Sequence, residues 1–256
     1  MTFTDAKQRF SDRVADYVRY RPSYPSALLG LLRSECALRP GHVIADIGSG
    51  TGFLSELFLK NGNRVYGVEP NEAMRRAGEE YLASDDGFSS IEGSAEATTL
   101  DDASVDFVTA GQSFHWFEHD NARREFARIL KSGGWMVIAW NDRRMNEAPF
   151  TRAYENILER FGIEYKKVKD SYPEADRIRG FFSTFSQRDL PNYQILDWDS
   201  LCGRLRSSSF TPTEGHPNFA PMMEELRKLF GACEQDGQVR MEYFTRIYFG
   251  QIKAGA

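Results

Sequence analysis

The 256-residue chain lacks the features that mark membrane and secreted proteins. No stretch approaches the roughly 18 uncharged apolar residues of a membrane-spanning helix, and the first residues carry charges, at Asp5 and Lys7, where a signal peptide needs its apolar segment. The three cysteines, Cys36, Cys202 and Cys233, lie far apart without a C-x-x-C pair, so neither a disulfide framework nor a zinc ribbon is indicated. These absences predict a cytoplasmic protein without membrane contact or bound metal.

An excess of positive charge is also absent. The chain has 32 Lys and Arg residues against 37 Asp and Glu residues, a formal net charge of −5. Because non-specific nucleic-acid binding depends on clustered Lys and Arg, this balance argues against a nucleic-acid partner. The hydrophobic share of 41% and the charged share of 27% are ordinary for a globular protein, whereas the aromatic share of 13% is high.

The first 140 residues alternate between the periodicities of strands and helices. Short apolar segments, typical of buried strands, alternate with segments that have apolar residues at helical spacing. The pattern predicts strands at 42–47, 64–69, 88–92, 105–110 and 135–140. It predicts helices at 53–61, from a cap at Asn71 to about Leu82, and from a cap at Asp120 to a stop at Gly133-Gly134. Such alternation indicates right-handed β-α-β units and a parallel sheet covered on both faces.

The remaining segments are less regular. Helices are predicted at 11–20 and 26–36 before the first strand, and at 150–161 and 221–230 in the second half. Strands are predicted at 192–198 and 242–250. We interpret the chain as 1–256 in one domain: 1–141 forms the N-terminal cover helices and the cofactor-binding core, 142–241 the substrate cap and acceptor region, and 242–256 the closing strand.

A glycine-rich loop carries the densest chemical signal. Asp46-Ile47-Gly48-Ser49-Gly50-Thr51-Gly52 lies between a predicted strand and a predicted helix, and glycines let a ligand approach the backbone closely. Glu69 ends the next strand, 21 residues after Gly48, which is the spacing that places a carboxylate on ribose hydroxyls. The loop reads G-x-G-x-G, with Phe53 where a dinucleotide site needs glycine, and no Lys-Ser or Lys-Thr pair follows as in a P-loop.

With this loop, five further segments resemble class I S-adenosylmethionine-dependent methyltransferases, and within them the small-molecule, trans-aconitate methyltransferase-like branch. These segments are Tyr20–Pro25, Val68–Pro70, Ser94–Glu96, Gln112–Phe117 and Leu130–Gly134. The resemblance implies an α/β, Rossmann-like, mostly parallel seven-stranded sheet with an antiparallel last strand, helices on both faces and a helical cap. It also implies S-adenosyl-L-methionine as the cofactor.

The resemblance further implies roles for individual residues. The backbone of Gly48, Ser49 and Gly50 would hold the methionyl part of the cofactor, with Asp46 near its ammonium group, and Glu69 would take both ribose hydroxyls. The other implied contacts are Pro70 and Asn71 beside the adenine, Ala95 and Glu96 at its edge, and Gln112 and Ser113 near the transferable methyl group. Tyr17, Tyr24 and Arg21 would close over the site, with Arg21 meeting a carboxylate; the alternative is that the tyrosines only pack.

His115-Trp116-Phe117 follows the fourth predicted strand, where substrate would meet cofactor. His115 could deprotonate or orient the acceptor and Trp116 could exclude water, which makes these two the candidate catalytic residues. The alternative is that His115 is a structural, hydrogen-bonded residue, and we expect Phe117 to pack under the next helix. His115 to His119 also fits the H-x-x-E-H zinc signature, which we interpret as coincidence because no third ligand is specified.

The acceptor is less clearly marked. Arginines at 143, 144, 204 and 206 are candidates to line its pocket, and arginine there would favour an anionic substrate. The sequence therefore predicts methyl transfer to a small organic acceptor, with anionic or carboxylate compounds as candidates. The alternatives are a non-catalytic S-adenosylmethionine-binding regulatory module, and a methyltransferase that acts on protein, lipid or nucleic acid. A nicotinamide oxidoreductase is disfavoured by the loop spacing.

Overall fold

The structure is a computed structural model that describes residues 18–146, 148–170 and 175–252. Its seven strands form one sheet in the order β3-β2-β1-β4-β5-β7-β6. The strands are β1 (Val43–Ile47), β2 (Arg64–Val68), β3 (Phe88–Ile91), β4 (Val105–Gly111), β5 (Leu130–Arg143), β6 (Phe182–Leu196) and β7 (Val239–Ile252).

Nine α-helices lie in the described part of the chain. They are α1 (Ala27–Cys36), α2 (Phe53–Lys60), α3 (Glu72–Tyr81), α4 (His119–Ile129), α5 (Pro149–Phe161), α6 (Tyr165–Asp170), α7 (Ala175–Phe181), α8 (Trp198–Arg206) and α9 (Phe219–Cys233). A short 3-10 helix covers Phe114–Trp116, between β4 and α4. None of these helices is both long enough and apolar enough to cross a bilayer.

The pairing of the strands follows from how the chain connects them. β1 pairs in parallel with β2 and β4, β2 with β3, and β4 with β5. Helices α2, α3 and α4 form the crossovers from β1 to β2, from β2 to β3 and from β4 to β5. β7 runs antiparallel to both β5 and β6. The predicted Rossmann-like fold, mostly parallel with an antiparallel last strand and with helices around it, is confirmed.

Three clusters of buried side chains hold these layers together. One lies between the sheet and α1 and α2 and contains Leu28, Leu32 and Phe58, while a second covers the other face with Phe126 of α4 and Phe181 of α7. The third joins α5, α8 and α9 and packs them onto β7. β1 is buried almost throughout because it lies in the middle of the sheet with helices on both sides, and its carboxyl end therefore opens into the cleft between sheet and cap.

The predicted bounds of several elements are wrong, most clearly those of β6 and α4. The strand expected at 192–198 starts ten residues earlier, as β6, and Trp198 instead begins α8, because the Asp197 side chain accepts a hydrogen bond from the Ser200 N–H and caps that helix. β6 is an edge strand of the sheet, and many of its side chains are exposed to solvent. Its first half therefore lacks the alternation of apolar and polar residues from which a strand is predicted. α4 is capped by Glu118 rather than Asp120, and it ends at Ile129 because β5 pairs from Leu130.

Candidate functional site

The glycine loop joins β1 to α2 in a conformation that requires glycine. Gly48, Gly50 and Gly52 have φ angles of 65°, 58° and 89°, in the left-handed region that side chains disfavour. A Cβ atom at Gly48 would lie 2.6 Å from the Cβ atom of Ser113, so the backbone itself forms this part of the cleft wall. The loop N–H groups are used within the protein: those of Gly48 and Ser49 donate to the Val68 carbonyl oxygen, at 2.8 and 3.2 Å. The loop therefore presents carbonyl oxygens and Cα atoms to the cleft.

Glu69 is held in place by the same loop. Its Oε2 accepts a hydrogen bond from the Gly50 N–H at 2.9 Å, and its Oε1 accepts one from the Asn71 N–H at 2.8 Å. Burial raises the pKa of Glu69, while these two N–H groups and Arg75 act in the opposite direction. Each carboxylate oxygen keeps a further lone pair. Glu69 is thus fixed in orientation and can still accept hydrogen bonds from a ligand.

Asp46, at the end of β1, is a second buried carboxyl group, 1% exposed. Its Oδ2 accepts from the Ser55 hydroxyl at 2.7 Å, and its Oδ1 accepts from the Thr109 hydroxyl at 3.0 Å. Burial raises the pKa of Asp46 to about 6, although both hydroxyls favour the charged form. The spacing around the loop indicated Asp46, but Ser55 and Thr109 were missed because their role depends on how α2 and β4 pack against β1.

The end of β4 forms the opposite side of the cleft. Gln112 has a φ angle of 57°, and its N–H donates to the Ala139 carbonyl oxygen at 3.0 Å. Its Oε1 is buried and has no hydrogen-bond partner among the described residues. The Ser113 hydroxyl donates to the Ile47 carbonyl oxygen at 2.7 Å, which links β4 to the glycine loop. The structure thus brings Gln112 and Ser113 beside Gly48, with an unused acceptor atom on Gln112.

A cleft that is open to solvent lies between these elements. Its lining combines the loop, the end of β4, Asn141 of β5 and the segment that precedes α1. That segment contributes Arg21 and Tyr24, whose hydroxyl closely approaches Gly111, and Arg21 donates from Nη2 to the Ser207 carbonyl oxygen at 2.9 Å. Arg21 and Tyr24 therefore both line the cleft, whereas Tyr17 lies outside the described residues.

The aromatic segment after β4 forms a separate wall. The His115 ring lies 4.4 Å from the Trp116 ring and 5.1 Å from that of Trp140, measured between centroids. Burial lowers the pKa of His115 to about 3, so its imidazole is neutral at physiological pH. Phe117 packs against Phe126 of α4, as predicted.

The histidine pair of the H-x-x-E-H match does not share one helical face. His115 belongs to the 3-10 helix and His119 starts α4, with extended backbone at residues 117 and 118 between them. His119 stacks on Phe114, and its Nε2 lies 3.3 Å from the Phe114 carbonyl oxygen. Within the described ranges, no group of three His, Cys, Asp or Glu side chains is arranged to hold a metal ion.

The residues assigned to the adenine lie on the other side of Glu69. Pro70 is half-buried, and the Asn71 side chain caps α3 by accepting from the Met74 N–H at 3.1 Å. Ala95 is 4% exposed and belongs to the core on that face of the sheet. Glu96 accepts a hydrogen bond from the Glu118 N–H at 2.8 Å. These positions surround the β2 and β3 ends without lining the cleft itself.

The site fits S-adenosylmethionine on three observations. The glycine loop lines the cleft and has no room for a Cβ atom at Gly48, the Glu69 carboxylate keeps free lone pairs beside the Gly50 N–H, and Gln112 offers an unused buried acceptor atom. Phe53 also lines the cleft, at the position where a dinucleotide site needs glycine.

Comparison with known proteins agrees with this geometry. The methyltransferase domain family matches residues 45–138. A Mycobacterium bovis protein described as an uncharacterized methyltransferase is 34% identical over 231 residues, 88% of this chain and 86% of that protein. A Schizosaccharomyces pombe protein of the same description is 27% identical over 250 residues, 93% of this chain and 95% of its own.

Solved structures share the fold. A protein from Anaeromyxobacter dehalogenans superposes with a TM-score of 0.64 at 23% identity, over 91% of this chain and 98% of that one. One from Anabaena variabilis superposes with a TM-score of 0.60 at 19% identity, over the same shares. From the matching family, the similarity to the mycobacterial protein and the fit of the cleft, we conclude that the chain belongs to the methyltransferase domain family and has S-adenosylmethionine as its cofactor.

Proposed function

We propose that the protein transfers the methyl group of S-adenosylmethionine to a small organic acceptor that carries an anionic group. The observation that carries this proposal is the cleft at the end of β1, which is lined by the glycine loop, Asp46 and Arg21, with Glu69 hydrogen-bonded to the loop at Gly50. The similarity to the trans-aconitate methyltransferase-like branch, seen in the sequence segments around this cleft, supports the same class of acceptor. In this proposal the β1–β5 region binds the cofactor and the α5–α9 region selects the acceptor.

We assign the cofactor contacts as follows. Glu69 accepts hydrogen bonds from the ribose hydroxyls through the lone pairs that Gly50 and Asn71 leave unused. The carbonyl oxygens of the loop and the Asp46 carboxylate face the ammonium group, while Arg21 faces the carboxylate, because the loop N–H groups are already engaged. Asn71 and Pro70 flank the adenine, with Ala95 and Glu96 at its edge.

Methyl transfer requires an acceptor atom about 3 Å from the methyl carbon and in line with the bond that breaks, so positioning supplies much of the rate. The cofactor supplies an activated methyl group. Gln112 and Ser113 border that position, since both follow directly on β4 and Ser113 contacts the glycine loop. An acceptor that is already anionic needs no base, because it carries the electron pair that forms the new bond.

His115 orients the acceptor in this proposal. Taking up a proton would charge its imidazole in a buried position against Trp116 and Trp140, and the low pKa of His115 shows that this setting opposes the charge. The neutral ring can donate one hydrogen bond and accept another. Trp116 covers the ring and excludes water.

The direct test is turnover of S-adenosylmethionine to S-adenosylhomocysteine with a panel of small carboxylic acids and their neutral amides. We expect product with one or more of the acids, and a lower rate in His115→Phe at unchanged cofactor affinity. Tight cofactor binding without turnover on this panel, or on protein, lipid and nucleic-acid substrates, would instead identify a regulatory binding module. Turnover only with a macromolecular substrate would overturn the small-molecule proposal.

A further inference from the structure

Arg204, in α8, is a buried guanidinium group whose partners are neutral. Its side chain is 3% exposed, its Nε donates to the Tyr243 hydroxyl at 3.3 Å, and its Nη1 donates to the Ser208 hydroxyl at 3.2 Å. The Tyr243 hydroxyl in turn donates to Gln194 Oε1 at 2.9 Å, so this chain of bonds ends in an amide. No carboxylate pairs with Arg204 in the described part of the protein.

The nearby Arg143 is an arginine of the same region whose positive charge is compensated by a carboxylate. Its Nε donates to the Glu155 carboxylate at 2.7 Å, and its Nη2 donates to the Tyr165 hydroxyl at 2.6 Å. The guanidinium group stays charged in proteins, and a buried charge is costly unless an opposite charge accompanies it. Arg143 has that opposite charge, whereas Arg204 has only hydroxyl oxygens.

A second unused polar group lies beside the same charges. The Tyr154 hydroxyl is fully buried and has no hydrogen-bond partner among the described residues. The Arg143 guanidinium carbon lies 6.0 Å from the centroid of the Tyr154 ring. Burial raises the pKa of Tyr154, and the charges of Arg204, Arg143 and Arg21 act against this rise. The phenol therefore keeps its proton and offers a donor.

This buried group adjoins the wall of the cofactor cleft. Arg21 lines the cleft and donates to the carbonyl oxygen of Ser207, and the next residue, Ser208, accepts from Arg204. Gly203 also lies against the Tyr20 ring, so α8 packs on the segment that carries Arg21. Arg21 and Arg204 therefore bond to adjacent residues, Ser207 and Ser208, which places Arg204 next to the residues that line the cleft.

The net charge of this buried group indicates the charge of the ligand that it can bind. The Arg143 and Glu155 charges cancel, which leaves one uncompensated positive charge in the buried group, on Arg204. A monoanion with two oxygen atoms matches one guanidinium and one phenol donor, whereas a dianion would leave an excess negative charge. A carboxylate has this charge and shape.

We propose that Arg204 and Tyr154 form the subsite that binds a carboxylate group of the methyl acceptor. This inference rests on the proposed function, and it names the residues that select an acid over its neutral analogue. The Arg204 guanidinium compensates the negative charge and donates to one carboxylate oxygen. The Tyr154 hydroxyl donates to the second oxygen.

The test is thermal unfolding of the protein saturated with S-adenosylhomocysteine, in benzoate, phenylacetate and butyrate and in the matching amides at equal ionic strength. We expect at least one of these carboxylates, and not its amide, to raise the melting temperature of the wild type. Arg204→Met should weaken the binding of that carboxylate by about 10- to 100-fold, because a charge-assisted hydrogen bond is lost. Tyr154→Phe should weaken its binding by a smaller factor. Arg160→Met, at an exposed arginine of α5, the helix that carries Tyr154, is the matched control and should behave as wild type.

The outcomes separate this inference from the proposed function. Calorimetry with S-adenosylhomocysteine on the same variants shows whether the cofactor site is intact, and failure of the wild type there would count against the proposed function. Cofactor binding together with a carboxylate response that survives in both Arg204→Met and Tyr154→Phe, or with none in the wild type, would overturn the inference alone. If Arg204→Met does not fold, the inference stands or falls on Tyr154→Phe, whose lost hydroxyl has no described partner in the fold.

Discussion

Charged residues of opposite sign lie on the two sides of the cleft. Asp46 and Glu69 form an acidic wall, and Arg21 and Arg204 form a basic wall. On the glycine-loop side, the carboxylates of Asp46 and Glu69 are buried and accept hydrogen bonds from side chains and backbone of their own neighbourhood. On the cap side, Arg204 is buried and Arg21 is half-buried, and they donate to hydroxyl and carbonyl oxygens. Each carboxylate of the acidic wall already has two hydrogen-bond donors, whereas the buried charge of Arg204 has hydroxyl partners only and lacks the carboxylate that accompanies Arg143. We infer that the acidic wall binds the cofactor, whose structure does not vary, and that the basic wall binds an acceptor that carries a negative charge.

The largest effect that would break this division is on Glu69. Glu69→Ala removes the carboxylate proposed to accept two hydrogen bonds from the ribose, each worth about 1.5–3 kcal/mol, so we expect S-adenosylhomocysteine affinity to fall by at least about 100-fold. Isothermal titration calorimetry measures this directly. Glu72→Ala, an exposed residue on the next turn, is the control. Unchanged affinity in Glu69→Ala would refute the assigned role.

The second prediction compares the stability of variants at Arg143, whose charge is paired with a carboxylate, and at Arg204, whose charge is not. Arg143→Met leaves the buried Glu155 with Lys169 as its remaining cation, so we expect the free energy of unfolding to drop by up to about 3 kcal/mol. Arg204→Met removes a buried charge that has no carboxylate, so stability should be unchanged or higher. Urea denaturation of both variants provides the measurement. An equal loss in the two would show that Arg204 supports the fold as Arg143 does.

A pH series sharpens the comparison on the acidic side. Because burial raises the pKa of Asp46 to about 6, the folded protein holds a proton that the unfolded chain releases near pH 4. Unfolding free energy of the cofactor-free protein should therefore fall as pH rises from about 4 to 6, on the order of 2 kcal/mol from this group. Asp46→Asn should flatten the profile over that window. A profile that Asp46→Asn leaves unaltered would mean that the carboxyl group titrates normally.

The smallest effect separates two glycines of one loop. Both Gly48 and Gly50 have positive φ, but a Cβ atom at Gly48 would lie 2.6 Å from Ser113, while one at Gly50 would lie 3.4 Å from the flexible end of Met74. We expect Gly48→Ala to cost about 1–2 kcal/mol more than Gly50→Ala in thermal denaturation. Equal costs would show that backbone strain alone, rather than the close approach to Ser113, fixes glycine at residue 48.

The sequence indicated residues of both walls, but it indicated contacts only within the acidic wall, and the reason is the distance along the chain. The Gly50 to Glu69 hydrogen bond joins residues 19 apart within one β-α-β unit, where strand, loop and helix follow a fixed geometry. The Arg21 to Ser207 bond joins residues 186 apart. Periodicity predicted the helix of Tyr154, but only packing shows that its hydroxyl has no described partner.

The edge of the sheet shows the same limit. β6 was predicted over less than half of its length because its outward side chains are polar, and its pairing depends on β7, whose partner residues lie more than forty positions away. The central strands were predicted closely because both of their faces are buried and their sequences are therefore apolar.

The most direct test of the two-wall account is hydrogen–deuterium exchange of the full chain with and without S-adenosylhomocysteine. The account predicts slower exchange at residues 46–52, 69–71 and 111–115, with α5 and α8 unchanged until a carboxylate acceptor is added. Slower exchange in α5 and α8 on addition of S-adenosylhomocysteine alone, with residues 46–52 and 69–71 unaffected, would contradict it.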